Sequence, residues 1–350
     1  MCESNKTRLL ILIAAWSCAL LWGAASLAKS QRIDTPAGMI AYLKSRGLPA
    51  LESVEKWENE YGPGLKLTTA HYEVYTTLLD PLMLCRVPGF VESAYKAYQK
   101  QLPEAVQTQF KLTIYLFAKR KQWEDFTRVF AGDNAAVYLK IKAGAYCLKD
   151  ACVAYNIGSD ATFSVLGHEG WHQFNKRHFK YRLPSWLDEG IAMMFEASRY
   201  ENGLFTFDPS RNLNRLGGLK LTLEKGKMIP LRVLVGLDPG QAVRTSEDAA
   251  QAFYSQAYAL ARFLKEDNYS QRLPQYHQML MGAVDGTWPL TDQAEKIAVD
   301  RNIPITIEYN RAAGTQLFEH YVGTDYDIIE QQYLLFCNKL VYYVRFKKQP

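Results

Sequence analysis

Two histidines four residues apart are the feature that most constrains this chain. The stretch GHEGWHQ at 167–173 contains His168, Glu169 and His172, and Ser159-Asp160 upstream is typical of the start of a helix. Residues four apart share one face of a helix, so both imidazoles can bind one tetrahedral zinc ion while Glu169 lies beside the open coordination position. The spacing predicts a helix over about 161–175 with two metal ligands. The competing interpretation is a helix with two surface histidines.

A third ligand is expected because a catalytic zinc ion has three protein ligands and one water. The candidate is Glu189, in the stretch WLDEGIA at 186–192. Pro184 and Ser185 predict the start of a second helix, which we expect to run to about 198, and Asp188 is placed to complete a capping box with Ser185. If the two helices are antiparallel, the loop over 176–183 brings Glu189 back against the histidines. An acidic residue in a first helical turn also interacts favourably with the helix dipole, which is the alternative role.

Strand-like patterns come before these helices, and helical patterns come after them. Strands are predicted over 67–79, 112–117, 137–141 and 145–155, the last turning back on itself at Lys149-Asp150, and a helix is predicted over 90–102. Beyond residue 218 we expect helices over 247–266, 274–282 and 327–346. Strands followed by helices predict an α+β fold, with a mostly helical C-terminal subdomain.

The chain divides into four predicted segments. Residues 1–28 contain Lys6 and Arg8, an apolar run over 9–25 and then small residues, which is typical of a secretory signal. The apolar run is near the lower limit for spanning a bilayer, so an uncleaved N-terminal anchor is the alternative, and it would be the only membrane contact. We expect export to a periplasmic or extracellular location. A helical segment over 29–65, a unit over 66–217 and a helical subdomain over 218–350 follow.

Composition and cysteine content narrow the classes further. The chain has 41 basic and 36 acidic residues, and this scattered excess excludes an electrostatic footprint for nucleic acid. A hydrophobic content of 48% excludes a disordered chain. An oxidising compartment permits disulfides, and Cys147 and Cys152 flank the turn of the predicted hairpin. They are expected either to form a bridge or to remain free, with a zinc site built from the cysteines as a further alternative, whereas Cys85 and Cys337 fit buried thiols or disulfide partners.

At these motifs the chain resembles the gluzincin zinc metallopeptidases of the peptidase MA clan. The run WLDEGIA is similar to the WLNEGFA run of aminopeptidase N-like enzymes, whose glutamate is the third zinc ligand. It is more similar still to secreted bacterial MA-like domains of unassigned function. Those domains contain, in order, a strand beginning with HY, a helix, a second strand, HExxHQ and P-x-WLxEGxA. Here His71-Tyr72 begins that series, and the resemblance covers roughly residues 66–270.

The resemblance implies a zincin-like catalytic domain over 66–217. His168, His172 and Glu189 would bind Zn²⁺, the expected cofactor, and Glu169 would be the general base. It implies an exported zinc-dependent metallopeptidase that cleaves a peptide or protein by means of a zinc-bound water. The alternatives are a non-catalytic module of the same fold that binds a partner or the cell envelope, and a zinc hydrolase that acts on another substrate.

Further residues take roles by the same resemblance. Relatives use a tyrosine from a later helix to stabilise the oxyanion, and Tyr254 is the candidate here, ahead of Tyr258 and His178. Glu196 lies seven residues after Glu189, the spacing at which relatives orient a ligand histidine. Its alternative is a solvated position.

Departures from the family bear on the substrate. Aminopeptidase relatives have a GAMEN run whose glutamate binds the substrate's amino terminus, and the corresponding place at 144–148 contains no glutamate. We therefore expect an endopeptidase-like open cleft in which the 145–155 hairpin pairs with an extended peptide. Thermolysin-like enzymes have an aspartate where this chain has Met193, which argues against close kinship with them. The basic residues in the loop between the two predicted helices favour either acidic substrates or simple solvation; they are Lys176, Arg177, Lys180 and Arg182.

Overall fold

The computed structural model describes residues 33–142, 144–303 and 305–345. The predicted signal or anchor over 1–28 lies outside these residues. Within the described part of the chain, no helix combines the length and the apolar character needed to cross a bilayer. The described residues form an α+β fold, as predicted, with an N-terminal sheet and a helical C-terminal region.

A six-stranded mixed sheet organises the N-terminal half. Its strands are β1 (Ser53–Trp57), β2 (Gly64–Thr68), β3 (Tyr72–Thr76), β4 (Leu112–Phe117), β5 (Ala145–Leu148) and β6 (Ala151–Tyr155). The strand order is β1-β2-β3-β4-β6-β5. Strands β3, β4 and β6 are parallel, whereas β1, β2 and β3 pair antiparallel in succession and β5 pairs antiparallel with β6. Strand β5 is therefore a free edge, formed by the hairpin that the sequence predicted.

Helices cover both faces of the sheet. On one face lie α1 (Pro36–Ser45), α2 (Pro81–Gln99) and α5 (Ser159–His178); on the other lies α3 (Arg120–Ala131), which a short turn connects to α4 (Ala135–Tyr138). The side chains of β6 alternate between the two faces of the sheet. Because helices cover both faces, every residue of β6 is buried. Cys152 and Ala154 pack toward α2 and α5, while Val153 and Tyr155 pack against Trp123 of α3. The ligand helix α5 thus rests on the core of the sheet.

Three sequence predictions about this half are wrong in part. The segment over 29–65 is not helical throughout, because β1 follows α1 and pairs with β2. The single strand over 67–79 is two strands, since buried Glu92 of α2 accepts hydrogen bonds from Thr69 Oγ1 at 2.6 Å and from His71 N at 2.9 Å and holds the turn between them. No strand forms over 137–141 among the described residues: Val137 and Tyr138 end α4, residues 139–141 follow as a turn and loop, and Val137 is 64% exposed.

The second half begins with α6 (Ser185–Ala192), which a turn over Met193–Phe195 ends earlier than predicted. A small hairpin of β7 (Ser198–Glu201) and β8 (Leu204–Phe207) follows. The remaining helices are α7 (Leu213–Glu224), α8 (Leu231–Leu234), α9 (Pro239–Thr245), α10 (Glu247–Ser270), α11 (Leu273–Asp285), α12 (Asp292–Val299), α13 (Ile307–Tyr321) and α14 (Tyr326–Val341). Within α10 the backbone departs from helical geometry at Asp267, Asn268 and Tyr269. Helix α10 packs directly against α6 and α7, so the C-terminal helices support the second ligand helix.

Candidate metal centre

Helices α5 and α6 bring the three predicted ligands together. His168 and His172 lie on one face of α5, and Glu189 faces them from α6. The Nε2 atoms of the two histidines are 3.2 Å apart. Glu189 Oε2 lies 3.4 Å from His168 Nε2, and Glu189 Oε1 lies 3.9 Å from His172 Nε2. These three side chains form a group that can hold a metal ion.

The spacing of the donor atoms fits a tetrahedral zinc ion. Zinc bonds of about 2.0–2.1 Å at tetrahedral angles place neighbouring ligand atoms roughly 3.3–3.4 Å apart. The two shorter separations in this group, 3.2 and 3.4 Å, lie close to that value. Two imidazole nitrogens and one carboxylate oxygen are also the donor set of many catalytic zinc sites. Zinc is therefore one of the metals that this donor set fits.

Carboxylates behind the histidines set which nitrogen carries the proton. Glu196 Oε1 lies 3.0 Å from His168 Nδ1, and Asp188 Oδ1 lies 3.0 Å from His172 Nδ1. A carboxylate only accepts, so each Nδ1 donates to the carboxylate behind it. Each Nε2 faces Glu189 and the other histidine, where a metal ion can take the place of a proton.

Glu196 is itself held by two residues that sequence reasoning missed. Arg215 of α7 donates from Nε to Oε2 at 2.8 Å and from a terminal nitrogen to Oε1 at 2.7 Å. Asn212 Nδ2 donates to Oε2 at 2.9 Å. Burial raises the pKa of Glu196, but the hydrogen bonds from His168 and Arg215 outweigh it and lower the pKa to about 2. Glu196 therefore stays ionised, and its position matches the orienting role expected for it.

Asp188 does not cap its own helix, in contrast to the prediction. Pro184 is the N-cap residue of α6 and no side chain caps that helix end; instead Ser185 N donates to Asn310 Oδ1 of α13 at 2.9 Å. The Asp188 carboxylate points toward α5, where it accepts from Trp171 Nε1 at 3.0 Å and from Asn175 Nδ2 at 2.7 Å as well as facing His172. The role of Asp188 is thus to fix the second ligand histidine.

The electrostatic field of the group favours positive charge. Burial opposes protonation of His168, yet its hydrogen bonds to Glu189 and Glu196 raise its pKa well above the usual range. Burial likewise opposes protonation of His172, but Asp188 and Glu189 raise its pKa to about 9. Burial raises the pKa of Glu189, and the two histidines lower it below its usual value overall. The same negative field that favours protons here also favours a divalent cation.

Glu169 lies beside the candidate ligands and is partly buried. It borders the cleft next to His172 and Glu189. Burial raises the pKa of its carboxyl, against the lowering effect of the two histidines. Cys147 Sγ donates to the backbone carbonyl oxygen of Glu169 at 2.9 Å and ties β5 to the ligand helix. Cys147 and Cys152 are cross-strand partners, and the structure shows both as free thiols, as it does Cys85 and Cys337.

The three candidate oxyanion donors differ in burial and in hydrogen-bond partners. Tyr254 of α10 is half-buried near the centre: burial and the charge of Glu189 raise its pKa, and Arg215 lies over its ring at 5.6 Å. Tyr258 is fully buried, and its hydroxyl hydrogen-bonds to the carbonyl of Pro209 and to Arg262. His178 is engaged by Thr108 Oγ1 at 2.6 Å and the Phe174 carbonyl at 2.8 Å. Only Tyr254 keeps its predicted candidacy.

A cleft of about 480 Å³ opens beside the metal ligands. Glu169, His172 and Glu189 line one part of it, and the edge strand β5 contributes Ala145, Tyr146 and Cys147. The metal group thus meets the unpaired edge of the sheet within a single cavity. An extended chain in this cavity can reach both.

Two glycines allow the close packing that the site requires. A Cβ at Gly167, next to His168, would collide with the backbone carbonyl of Phe195. A Cβ at Gly190, next to Glu189, would collide with the carbonyl of Ala257 on α10. Because backbone atoms cannot swing away as a flexible side chain can, both positions require glycine.

No family model matches this chain, and a search of curated proteins finds no significant match. Any function of the site is therefore inferred from its own geometry and chemistry.

Proposed function

We propose that this protein is a zinc-dependent metallopeptidase that cleaves within peptide or protein chains. The observation that carries the proposal is the arrangement of His168, His172 and Glu189, whose donor atoms have near-tetrahedral separations. Glu169 lies next to them in the same cleft. Together these four residues supply three metal ligands and one carboxylate base, the set required for metal-assisted hydrolysis.

Zinc held by these ligands would supply Lewis acidity, which polarises a carbonyl group and makes a water molecule more acidic. Glu169 then has the position and chemistry of the general base, taking a proton from the water that attacks the peptide carbonyl. The protonated Glu169 can pass this proton to the leaving amine. Its partly buried position suits the second step, because partial removal from water raises the pKa of the carboxyl and so stabilises its protonated form.

The surrounding side chains hold this machinery in place. Glu196 and Asp188 orient the two ligand histidines, so the donor atoms need little rearrangement when a metal binds. Tyr254, whose hydroxyl has no hydrogen-bond partner among the described residues, is the proposed donor to the oxyanion. The high pKa of Tyr254 keeps the hydroxyl protonated and able to donate.

The edge strand β5 supports the choice of a peptide substrate. Its unpaired backbone groups can form a ladder with an extended peptide lying in the cleft. The residues at 144–148 include no glutamate that could hold a substrate's free amino terminus. We therefore propose internal cleavage. We also propose export, on the basis of the sequence of residues 1–28.

The decisive experiment compares metal content and hydrolysis in the wild type and in Glu169→Gln. We expect about one zinc per chain in both proteins, measured by mass spectrometry of the metal. Only the wild type should cleave an unfolded protein such as reduced casein. The matched control is Glu104→Gln, in an exposed loop outside the cleft, which should leave cleavage unchanged.

Two outcomes would contradict the proposal. Full cleavage by Glu169→Gln would show that this carboxylate is not the base. Zinc bound by the wild type without cleavage of any protein or peptide would favour a non-catalytic module of the same architecture.

A further inference from the structure

Lys and Arg residues contribute three cationic side chains to the lining of the cleft among the described residues, and two of them have partners within the protein. Lys176 Nζ lies 3.2 Å from Asp150 Oδ1. Arg182 is buried and donates from Nε to the Ile297 carbonyl at 2.8 Å, and its terminal nitrogen bonds the carbonyls of Asp300 and Ile303. Lys176 is thus paired with a carboxylate, and Arg182 is committed to the backbone.

Arg301 is different. It lies in the loop between α12 and α13, half-buried, and donates one hydrogen bond to the Phe179 carbonyl at 2.9 Å. Within the described part of the chain it forms no ion pair, although a guanidinium has five N–H donors. Burial and the nearby charge of Arg182 lower its pKa, and the more distant charges of Asp188 and Asp150 offset this only in part. A half-buried cation without a counter-ion is stabilised when an anion binds.

We propose that Arg301 binds a carboxylate of the peptide that occupies the cleft. The planar guanidinium matches a carboxylate with two parallel hydrogen bonds, and four of its N–H groups are uncommitted. Arg301 lines the same cleft as Glu169 and β5, so an extended peptide can reach all three. The carboxylate belongs either to an aspartate or glutamate side chain or to the free C-terminus. The inference rests on the function proposed above, because it names the substrate class of that site.

Neighbouring apolar side chains strengthen this recognition. Ile141 and Ile305 line the cleft together with Arg301. Charge pairing beside apolar surface is less screened than in open water. Selectivity for an acidic peptide over its neutral analogue should therefore be measurable as a difference in affinity.

The test measures binding to the full chain carrying Glu169→Gln, so that hydrolysis does not consume the probe. The probes are dye-labelled alanine-rich hexapeptides with one glutamate at successive positions and an amidated C-terminus. Matched peptides contain glutamine, and a further pair without glutamate ends in a free carboxylate or an amide. We expect about 10- to 100-fold tighter binding for one carboxylate placement, as charge-assisted hydrogen bonds imply.

Three variants in the same background assign that preference. Arg301→Gln should abolish it, Arg301→Lys should keep part of it, and Lys176→Gln should keep all of it because Lys176 is paired with Asp150. The position of the preferred carboxylate distinguishes a side chain from a C-terminus. Equal binding of acidic and neutral peptides, failure of every peptide to bind, or a preference that survives Arg301→Gln overturns the inference.

Cleavage by the wild type is recorded separately with the same peptides. Cleavage without a carboxylate preference overturns the inference and leaves the peptidase standing. A preference that depends on Arg301, without any cleavage, supports the carboxylate site and overturns the peptidase.

Discussion

Arg215 holds both carboxylate oxygens of Glu196, at 2.8 and 2.7 Å, and Glu196 in turn holds Nδ1 of His168 at 3.0 Å. The two residues are 19 apart in the sequence, and the β7–β8 hairpin lies between them along the chain. This relay connects helix α7 to a metal ligand on helix α5. The orientation of the ligand thus depends on a helix that contributes no ligand itself.

The relay predicts that Arg215→Met weakens zinc binding roughly 10- to 100-fold, as removal of a partner behind a ligand histidine typically does. The physical reason is that Glu196, held then by Asn212 alone, fixes the ring orientation of His168 less firmly. Competition with a calibrated zinc chelator measures the effect. Arg211→Met, at an exposed position nearby, is the matched control and should bind zinc like the wild type. Unchanged affinity in Arg215→Met would show that the relay does not act on the metal.

Substitutions of Asp188 and Ser185 test whether Asp188 orients His172 or forms a capping box with Ser185 at the start of α6. Asp188→Ala should weaken zinc binding roughly 10- to 100-fold, because His172 loses the carboxylate that orients it. It should also lower the free energy of unfolding by about 1–3 kcal/mol, since Trp171 Nε1 and Asn175 Nδ2 lose their acceptor.

Ser185→Ala provides the contrast. A capping serine contributes about 0.5–2 kcal/mol, whereas the Ser185 side chain makes no capping hydrogen bond in this structure. Urea unfolding of this variant should therefore match that of the wild type. The capping box would be supported instead if Ser185→Ala lowered the free energy of unfolding by about 0.5–2 kcal/mol while Asp188→Ala still bound zinc like the wild type.

Gly190→Ala should disturb the site through packing alone. Alanine favours a helix over glycine by about 1 kcal/mol, but the new Cβ would meet the Ala257 carbonyl of α10. We expect a net loss of about 1–3 kcal/mol in the free energy of unfolding, typical of overpacking, together with weaker zinc binding as Glu189 shifts. Gly218→Ala on α7, where the Cβ would meet chiefly the flexible side chain of Gln251, should be neutral or stabilising. If Gly190→Ala left the free energy of unfolding unchanged, the close approach of α6 to the Ala257 carbonyl of α10 would not require glycine at this position.

His178 predicts a pH dependence of stability. Burial, together with the nearby charges of Arg177 and His71, lowers the pKa of His178. The unfolded chain therefore binds a proton more readily, so this residue's contribution to stability falls as the pH drops below about 6.5. Urea unfolding at pH 7.5 and 5.0 should show a smaller pH difference for His178→Gln than for the wild type. The exposed His320→Gln should keep the wild-type difference, and an equal change in both variants would contradict the assignment.

Much of the site could be predicted from local spacing. The positions of His168, Glu169 and His172 relative to one another follow from helix geometry, which repeats every 3.6 residues whatever the rest of the chain does. The order of strands and helices likewise predicted the α+β fold, and the turn at Lys149-Asp150 predicted the hairpin that forms the sheet edge.

Contacts between segments that are distant in the sequence could not be predicted from local spacing. The pattern at 137–141 is typical of a strand, yet no neighbouring strand pairs with it and it ends a helix. Asp188 has the spacing of a capping residue, but the packing of α6 on α5 turns its carboxylate to His172. Local preferences of this kind amount to about 1 kcal/mol, so a buried hydrogen-bond network outweighs them.

Arg215 and Arg301 show the same division most clearly. As letters in the sequence they do not differ from the other arginines of this chain. Arg215 becomes the partner of the Glu196 carboxylate, and Arg301 becomes a half-buried cation that forms no ion pair with any described residue, because tertiary packing decides which charges are desolvated and which groups they meet. The chain's local spacing therefore predicts the chemistry of the candidate metal ligands, whereas their orientation and the charges that line the cleft are decided only when distant helices pack together.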